Sequence, residues 1–134
     1  MMMKRLFYIT VLVGFSLGAC HSAAQEENQT TQQLVTYSQL NAIEFKNALA
    51  LEKTPQLFDV RTPKEFQAGT ITGAKNLNFL DGTFKNAMAN LDKSAPVYVF
   101  CASGGRSGKA SAALRQEGFT TIIDLKGGYN KWPK

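Results

Sequence analysis

Histidine is nearly missing from this chain: the single one, His21, sits in a polar stretch far from the rest of the chemistry. A cysteine–histidine catalytic pair inside a folded domain is therefore excluded, and any nucleophile must be activated by other means. Cysteine is almost as scarce, with only Cys20 and Cys101. No second Cys or His lies near Cys101 in sequence, so the spacing carries no metal-site signature and no cofactor is implied. Long apolar runs are missing too. The longest, LFYITVLVGFSL, has twelve residues from Leu6 to Leu17, against about 20 needed to span a bilayer as a helix. Charge is dispersed, with no basic block and no aromatic interleaving, which disfavours nucleic acid as a partner. No internal repeat is visible.

The first twenty residues have a grammar of their own. Lys4 and Arg5 precede the apolar run, and Gly18, Ala19 and Cys20 follow it, the order of a secretory signal and not of a fold element. The ending LGAC resembles the lipobox of bacterial lipoproteins. That resemblance implies cleavage after residue 19, lipid on Cys20, and a chain anchored at the cell envelope, facing periplasm or exterior; an ordinary signal cut near Ala19 or near Ala23 and Ala24 is the alternative. Lipid contributes about 0.8 kcal/mol of membrane affinity per buried CH₂, so acyl chains on Cys20 hold a domain at a membrane without a spanning helix. Residues 20–34 then form a polar tether, since HSAAQEENQTTQQ has no aromatics and no hydrophobic period. Residues 35–134 are enough for one small domain with one core. Removing Lys4 and Arg5 from the 15 basic residues leaves 13 against 10 acidic, a net of +3, compatible with small anionic substrates. Monomer is the default oligomeric state.

With Cys20 acylated, Cys101 would have no disulfide partner in a compartment that oxidises thiols. Its neighbourhood gives a reason for it. The segment runs APVYVF, CASGGRS, KASAALRQEGF: a short buried parallel strand over Val97–Phe100, a glycine-rich loop, and a helix expected over Ser107–Gln116 with Gly118 as its stop. A thiol at a strand's carboxyl end, beside a helix N-terminus, meets several backbone N–H groups. A free cysteine titrates near ~8.5, and a favourable helix N-terminus contributes up to roughly 2 kcal/mol, about 1.5 pKa units, so the thiolate becomes roughly half populated at neutral pH. Loop amides and Arg106 push the same way.

Elsewhere, Ser38–Leu51 has apolar residues at helical spacing behind a capping-type serine and is expected to be an amphipathic helix. Gln56–Val60 is expected as a strand. Thr62, Pro63 and Glu65 stand at N-cap, N1 and N3 of a short helix ending by Gly69. Ile71–Leu77 should be extended, Phe84–Leu91 a short helix and Thr121–Leu125 a strand. The alternation predicts an α/β domain with a mainly parallel central sheet flanked by helices.

Four segments together carry a resemblance: DVRTPKEF at Asp59–Phe66, GTITGAKNL at Gly69–Leu77, CASGGRS at Cys101–Ser107 and LKGGYNKW at Leu125–Trp132. In order and approximate spacing they resemble the rhodanese-like domain, over about Val35 to Trp132. The resemblance implies a single-domain sulfurtransferase in which Cys101 takes a sulfane sulfur from a small anionic donor such as thiosulfate, becomes a persulfide, and passes the sulfur to cyanide or a thiol, including a protein thiol. Ala102, Ser103, Gly104, Gly105, Arg106 and Ser107 would form the anion-binding loop, and Asp59, Arg61 and Glu65 would support it. Cys101 through Arg106 is six residues, the length of sulfur-transferring members, whereas related phosphatases use one more, so arsenate or phosphate chemistry is the weaker reading. A persulfide carrier or redox interaction module with poor small-molecule turnover is the stronger alternative. One departure stands out: Thr70 occupies a position where many members carry histidine.

Overall fold

The strand Val97–Phe100 is buried at every residue, and its β-branched and aromatic composition suits the centre of a parallel sheet covered on both faces. The structure, a computed structural model, describes residues 34–134; the leader, Cys20 and the tether up to residue 33 lie outside the described residues. In chain order the elements are β1 (Thr36–Leu40), α1 (Ala42–Ala50), β2 (Gln56–Asp59), α2 (Pro63–Gln67), β3 (Lys75–Asn76), α3 (Thr83–Met88), β4 (Val97–Phe100), α4 (Gly105–Gln116), β5 (Thr121–Leu125) and a 3-10 turn over Tyr129–Lys131. The five strands are parallel, in the order β1-β5-β4-β2-β3.

Alternation along the strands divides the interior into two cores. Phe58, Val97, Val99, Cys101 and Ile122 face α3 and α4, meeting Phe84, Met88, Ala110 and Leu114. Leu57, Tyr98, Phe100, Ile123 and Leu125 face the other way, onto Phe45 of α1 and the partly buried Tyr129 and Trp132. The carboxyl ends of β2, β4 and β5 lie side by side, with Asp59 opposite Phe100 and Val99 opposite Asp124. Ligands of open α/β sheets bind at that edge.

The α/β class and the parallel sheet are as expected, but several element boundaries are not. The helix expected over Ser38–Leu51 is split: Thr36–Leu40 pairs in register with Thr121–Leu125 as an edge strand, and the helix is capped by Asn41, not Ser38. Asn41 Oδ1 accepts from the amides of Ile43 and Glu44 at 3.0 Å each, and Glu44 accepts the Asn41 amide at 2.9 Å. Only Lys75–Asn76 of the expected extended piece joins the sheet, because a turn closes from the Ala74 amide to the Ile71 carbonyl at 3.0 Å, with Gly73 at φ +85°. The helix expected to reach Leu91 stops at Met88. The helix after the loop starts at Gly105, two residues early, which draws Arg106 and Ser107 into its first turn.

Candidate active site

Helix α4 begins without the side chain that usually closes a helix. Its N-cap is Gly104, at φ +107°, with no side-chain cap bond. Ser, Asp or Asn at that position would place its own oxygen on the first-turn amides. Here Cys101 Sγ sits at the open helix end: the amide of the cap residue Gly104 donates to it at 3.0 Å, and the amides of Ser103 and Ser107 and the Ser107 hydroxyl also favour its ionised form. Burial, the largest single influence, pushes the thiol up, since Cys101 is only 1 % exposed. The hydrogen bonds together outweigh it, and the thiol lies below its ordinary value.

Arg106 does not point freely into the loop. Its two terminal nitrogens each donate to a Glu65 carboxylate oxygen at 2.8 Å, the planar bidentate geometry that only arginine offers. Glu65 also closes the capping box of α2, accepting the Thr62 amide at 3.0 Å and the Thr62 hydroxyl at 2.8 Å. One carboxylate thus fixes both the start of α2 and the far side of the loop. The Arg106 hydrogen bonds hold the Glu65 carboxyl at about 2, against the opposing effect of burial.

Asp59 and Arg61 form a separate knot beneath the loop. Asp59 is fully buried, and Arg61 reaches it through Nε at 2.9 Å and Nη2 at 2.6 Å. Arg61 Nη2 also donates to the Gly69 carbonyl at 2.7 Å, and the guanidinium stacks 4.3 Å from the Tyr129 ring centroid. Thr70 completes the set, its hydroxyl donating to Asp59 Oδ2 at 2.8 Å. The residue that departs from the common pattern therefore serves as a ligand of this buried carboxylate. The three supporting residues do not form one network: Glu65 grips Arg106, while Asp59 and Arg61 tie the first, second and fourth motifs together.

Sequence reasoning passed over a second strap. The segment after Gly128 holds the backbone of the loop: the Tyr129 amide donates to the Cys101 carbonyl at 2.7 Å and the Asn130 amide to the Ala102 carbonyl at 3.0 Å. Gly128 lies so close that a Cβ would fall 2.5 and 2.6 Å from the Ala102 carbonyl carbon and oxygen and collide with the Cys101 carbonyl oxygen. Its signal in the sequence was the doublet of glycines just past a strand end.

A thiol below its ordinary value at the start of a helix, in a loop braced on both sides, brings the third motif together with residues of the other three. The family comparison agrees: the rhodanese-like domain matches residues 41–134. This chain belongs to the rhodanese-like family. Among its relatives, an uncharacterized protein of Bacillus subtilis, YqhL, is 43% identical over 77 residues, 58% of this chain; the match spans only 60% of that protein's length. The thiosulfate sulfurtransferase GlpE of Pseudomonas putida is 34% identical over 97 residues, covering 71% of this chain and 86% of that one. Among solved structures, a rhodanese-like domain protein of Staphylococcus aureus superposes with a TM-score of 0.64 at 30% identity, covering 72% of this chain and 92% of that chain.

Proposed function

We propose that this protein is a sulfurtransferase that works through a persulfide on Cys101. The Cys101 thiolate attacks the outer sulfur of a thiosulfate-like donor; the donor's S–S bond breaks, sulfite leaves with the bonding electron pair, and Cys101 carries one extra sulfur with a negative charge at its end. An acceptor, cyanide or a thiolate, then attacks that sulfur and the Cys101 thiolate returns. The observation that carries this reading is the sulfur itself, seated at the open N-terminus of α4 with the Gly104 amide 3.0 Å away. Backbone amides need no proton transfer, so the missing base poses no obstacle, and they stabilise the persulfide as they do the thiolate. Kinship with thiosulfate sulfurtransferases supports the same chemistry.

The test is intact mass of the purified protein before and after thiosulfate, then after cyanide, with thiocyanate followed over time. A gain of one sulfur, about 32 Da, that cyanide removes over repeated turnovers is expected from covalent catalysis. No gain from thiosulfate defeats the small-donor reading. The second reading, a carrier that receives sulfur from a partner protein, draws on the bidentate commitment of Arg106 to Glu65, which leaves a small dianion to be held chiefly by amides.

The leader supports a location at the cell envelope, with Cys20 lipidated and the domain acting as a monomer at a membrane surface. Fractionation of Cys20→Ser tests it: the variant is expected in the soluble fraction, and unchanged membrane attachment would refute the lipid anchor.

A further inference from the structure

Beside the sulfur-bearing loop, where β5 ends, the surface opens into a groove of about 690 Å³. Its position follows from the backbone. Lys126 leaves β5 with its amide donating to the Leu40 carbonyl at 2.8 Å, which sets the residues after β5 against the start of α1. Gly127 then approaches the loop: its nitrogen lies 3.9 Å from where a Cβ on Gly104 would stand, and the Gly104 amide is the one that donates to Cys101 Sγ. A single contact separates the groove from the residue that holds the reactive sulfur.

The lining divides into an apolar and a cationic part. Ala42, Ile43 and Pro133 make up the first, and Ile43 is 70 % exposed although it lies in the first turn of a helix whose Phe45 is fully buried. Lys126 and Lys131 make up the second. Neither is in an ion pair among the described residues. The course of Lys131 is set by Gly127: a Cβ there would fall 2.7 Å from Lys131 Cγ, so the lysine stem crosses the bare face of a glycine held at φ +78°. The first-turn amides of Ile43 and Glu44 are already taken by Asn41 Oδ1, and the Glu44 carboxylate by the Asn41 amide. What remains for a ligand is two ammonium groups and an apolar patch, next to a loop built to hand on a sulfur.

A cavity of this size falls within the range of small-molecule sites, about 300–1,000 Å³, whereas a protein partner covers about 800 Å² of surface on each side. We propose that the groove seats the acceptor of the sulfur, a small thiol that carries two carboxylates, with Lys126 and Lys131 as their partners. The inference rests on the sulfur transfer proposed above and names its acceptor. The acceptor thiolate bonds to the outer sulfur of the Cys101 persulfide, the S–S bond to Cys101 breaks, and its electron pair stays on Cys101 as the thiolate. The acceptor leaves as a persulfide, and no oxidant or reductant is consumed. Charges that hold the carboxylates equally before and during transfer lower the concentration of acceptor needed without raising the maximal rate.

Glutathione, with two carboxylates, and its diethyl ester, with none, are the probes. The full chain carrying Cys20→Ser, so that Cys101 is its one thiol, is loaded from thiosulfate, freed of donor and mixed with either thiol, and loss of the extra sulfur is followed by intact mass. Glutathione is expected to reach half-maximal discharge at a concentration about tenfold below that of the ester, as two exposed ion pairs would supply. Lys126→Gln combined with Lys131→Gln is expected to abolish that difference while the maximal rate holds. Equal half-maximal concentrations in the parent overturn the proposal, as does a tenfold preference that survives in the double variant. If cyanide discharges the sulfur while glutathione and ester do not differ, sulfur transfer stands and the acceptor assignment alone falls. S-methylglutathione, which cannot accept sulfur, gives a reading that needs no loaded Cys101: it is expected to shift the amide NMR signals of Gly127 and Lys131, and no shift there at millimolar analogue overturns the proposal.

Discussion

Replacing Gly128 with alanine should disable the loop from a site 27 residues beyond Cys101. Two costs act together. Gly128 sits at φ +64°, ψ −164°, a region essentially reserved for glycine, where another residue costs about 1–3 kcal/mol. The added methyl also meets the Ala102 carbonyl carbon and oxygen at 2.5 and 2.6 Å; backbone cannot swing aside as a side-chain tip can, and overpacking of this kind costs about 1–3 kcal/mol. A combined loss of about 3 kcal/mol would lower Tm by roughly 12–24 °C in a domain of this size. The same push should break the Tyr129 and Asn130 amide bonds to the Cys101 and Ala102 carbonyls, so alkylation of Cys101 should fall with stability. Gly108→Ala is the control. Gly108 lies inside α4 with nothing within 4 Å of a new Cβ, and alanine there should gain about 0.5–1 kcal/mol. A Gly128→Ala protein with unchanged Tm and unchanged Cys101 alkylation would refute the strap.

Three further outcomes are expected. Cys101→Ser should abolish persulfide formation by mass while leaving Tm unchanged, because its hydroxyl can still cap α4, whereas Cys101→Ala loses the cap acceptor and about 1 kcal/mol by urea unfolding. Glu65→Gln should cost about 1 kcal/mol at neutral pH, discounted for a carboxylate one third exposed; since Glu65 is held at about 2 against an ordinary 4.5, its contribution is complete above about pH 4.5 and fades as pH falls towards 2, so the unfolding curves of variant and parent should converge in acid. Arg61→Ala strands the buried Asp59 and should cost about 3–5 kcal/mol or prevent folding, while Thr70→Val, which removes one hydrogen bond to the same carboxylate, should cost about 1–2 kcal/mol by the same unfolding assay.

What was legible in the sequence was local. The Thr62, Pro63, Glu65 capping box depends on residues three apart, and it formed as read. The order of β4, loop and α4 follows from an apolar run, two glycines and a helical period, all within twenty residues. What failed was set at long range. Thr36–Leu40 became a strand because β5, some 85 residues later, offered it an edge, and helical spacing alone could not reveal that competition. The role of Thr70 depends on a carboxylate eleven residues away, and that of Gly128 on a loop in another element.

The absence of a base and the glycine at the N-cap are one design seen twice. A helix start must find acceptors for its first amides, and the usual answer is an oxygen on the cap residue itself. Gly104 has none, and its own amide is aimed at the sulfur of a residue three positions earlier. A side-chain base would have to exchange a proton at each half of the reaction. In the proposed transfer the amides would instead meet a negative charge at every stage, first on the thiolate and then one bond further out on the persulfide. The demand moves from proton transfer to shape: the loop must hold its amides convergent while the charge shifts by one S–S bond. That explains why the bracing is heavy, with Glu65 on Arg106 at one side, the Tyr129 and Asn130 amides on the loop carbonyls at the other, and glycines wherever the backbone must approach closely.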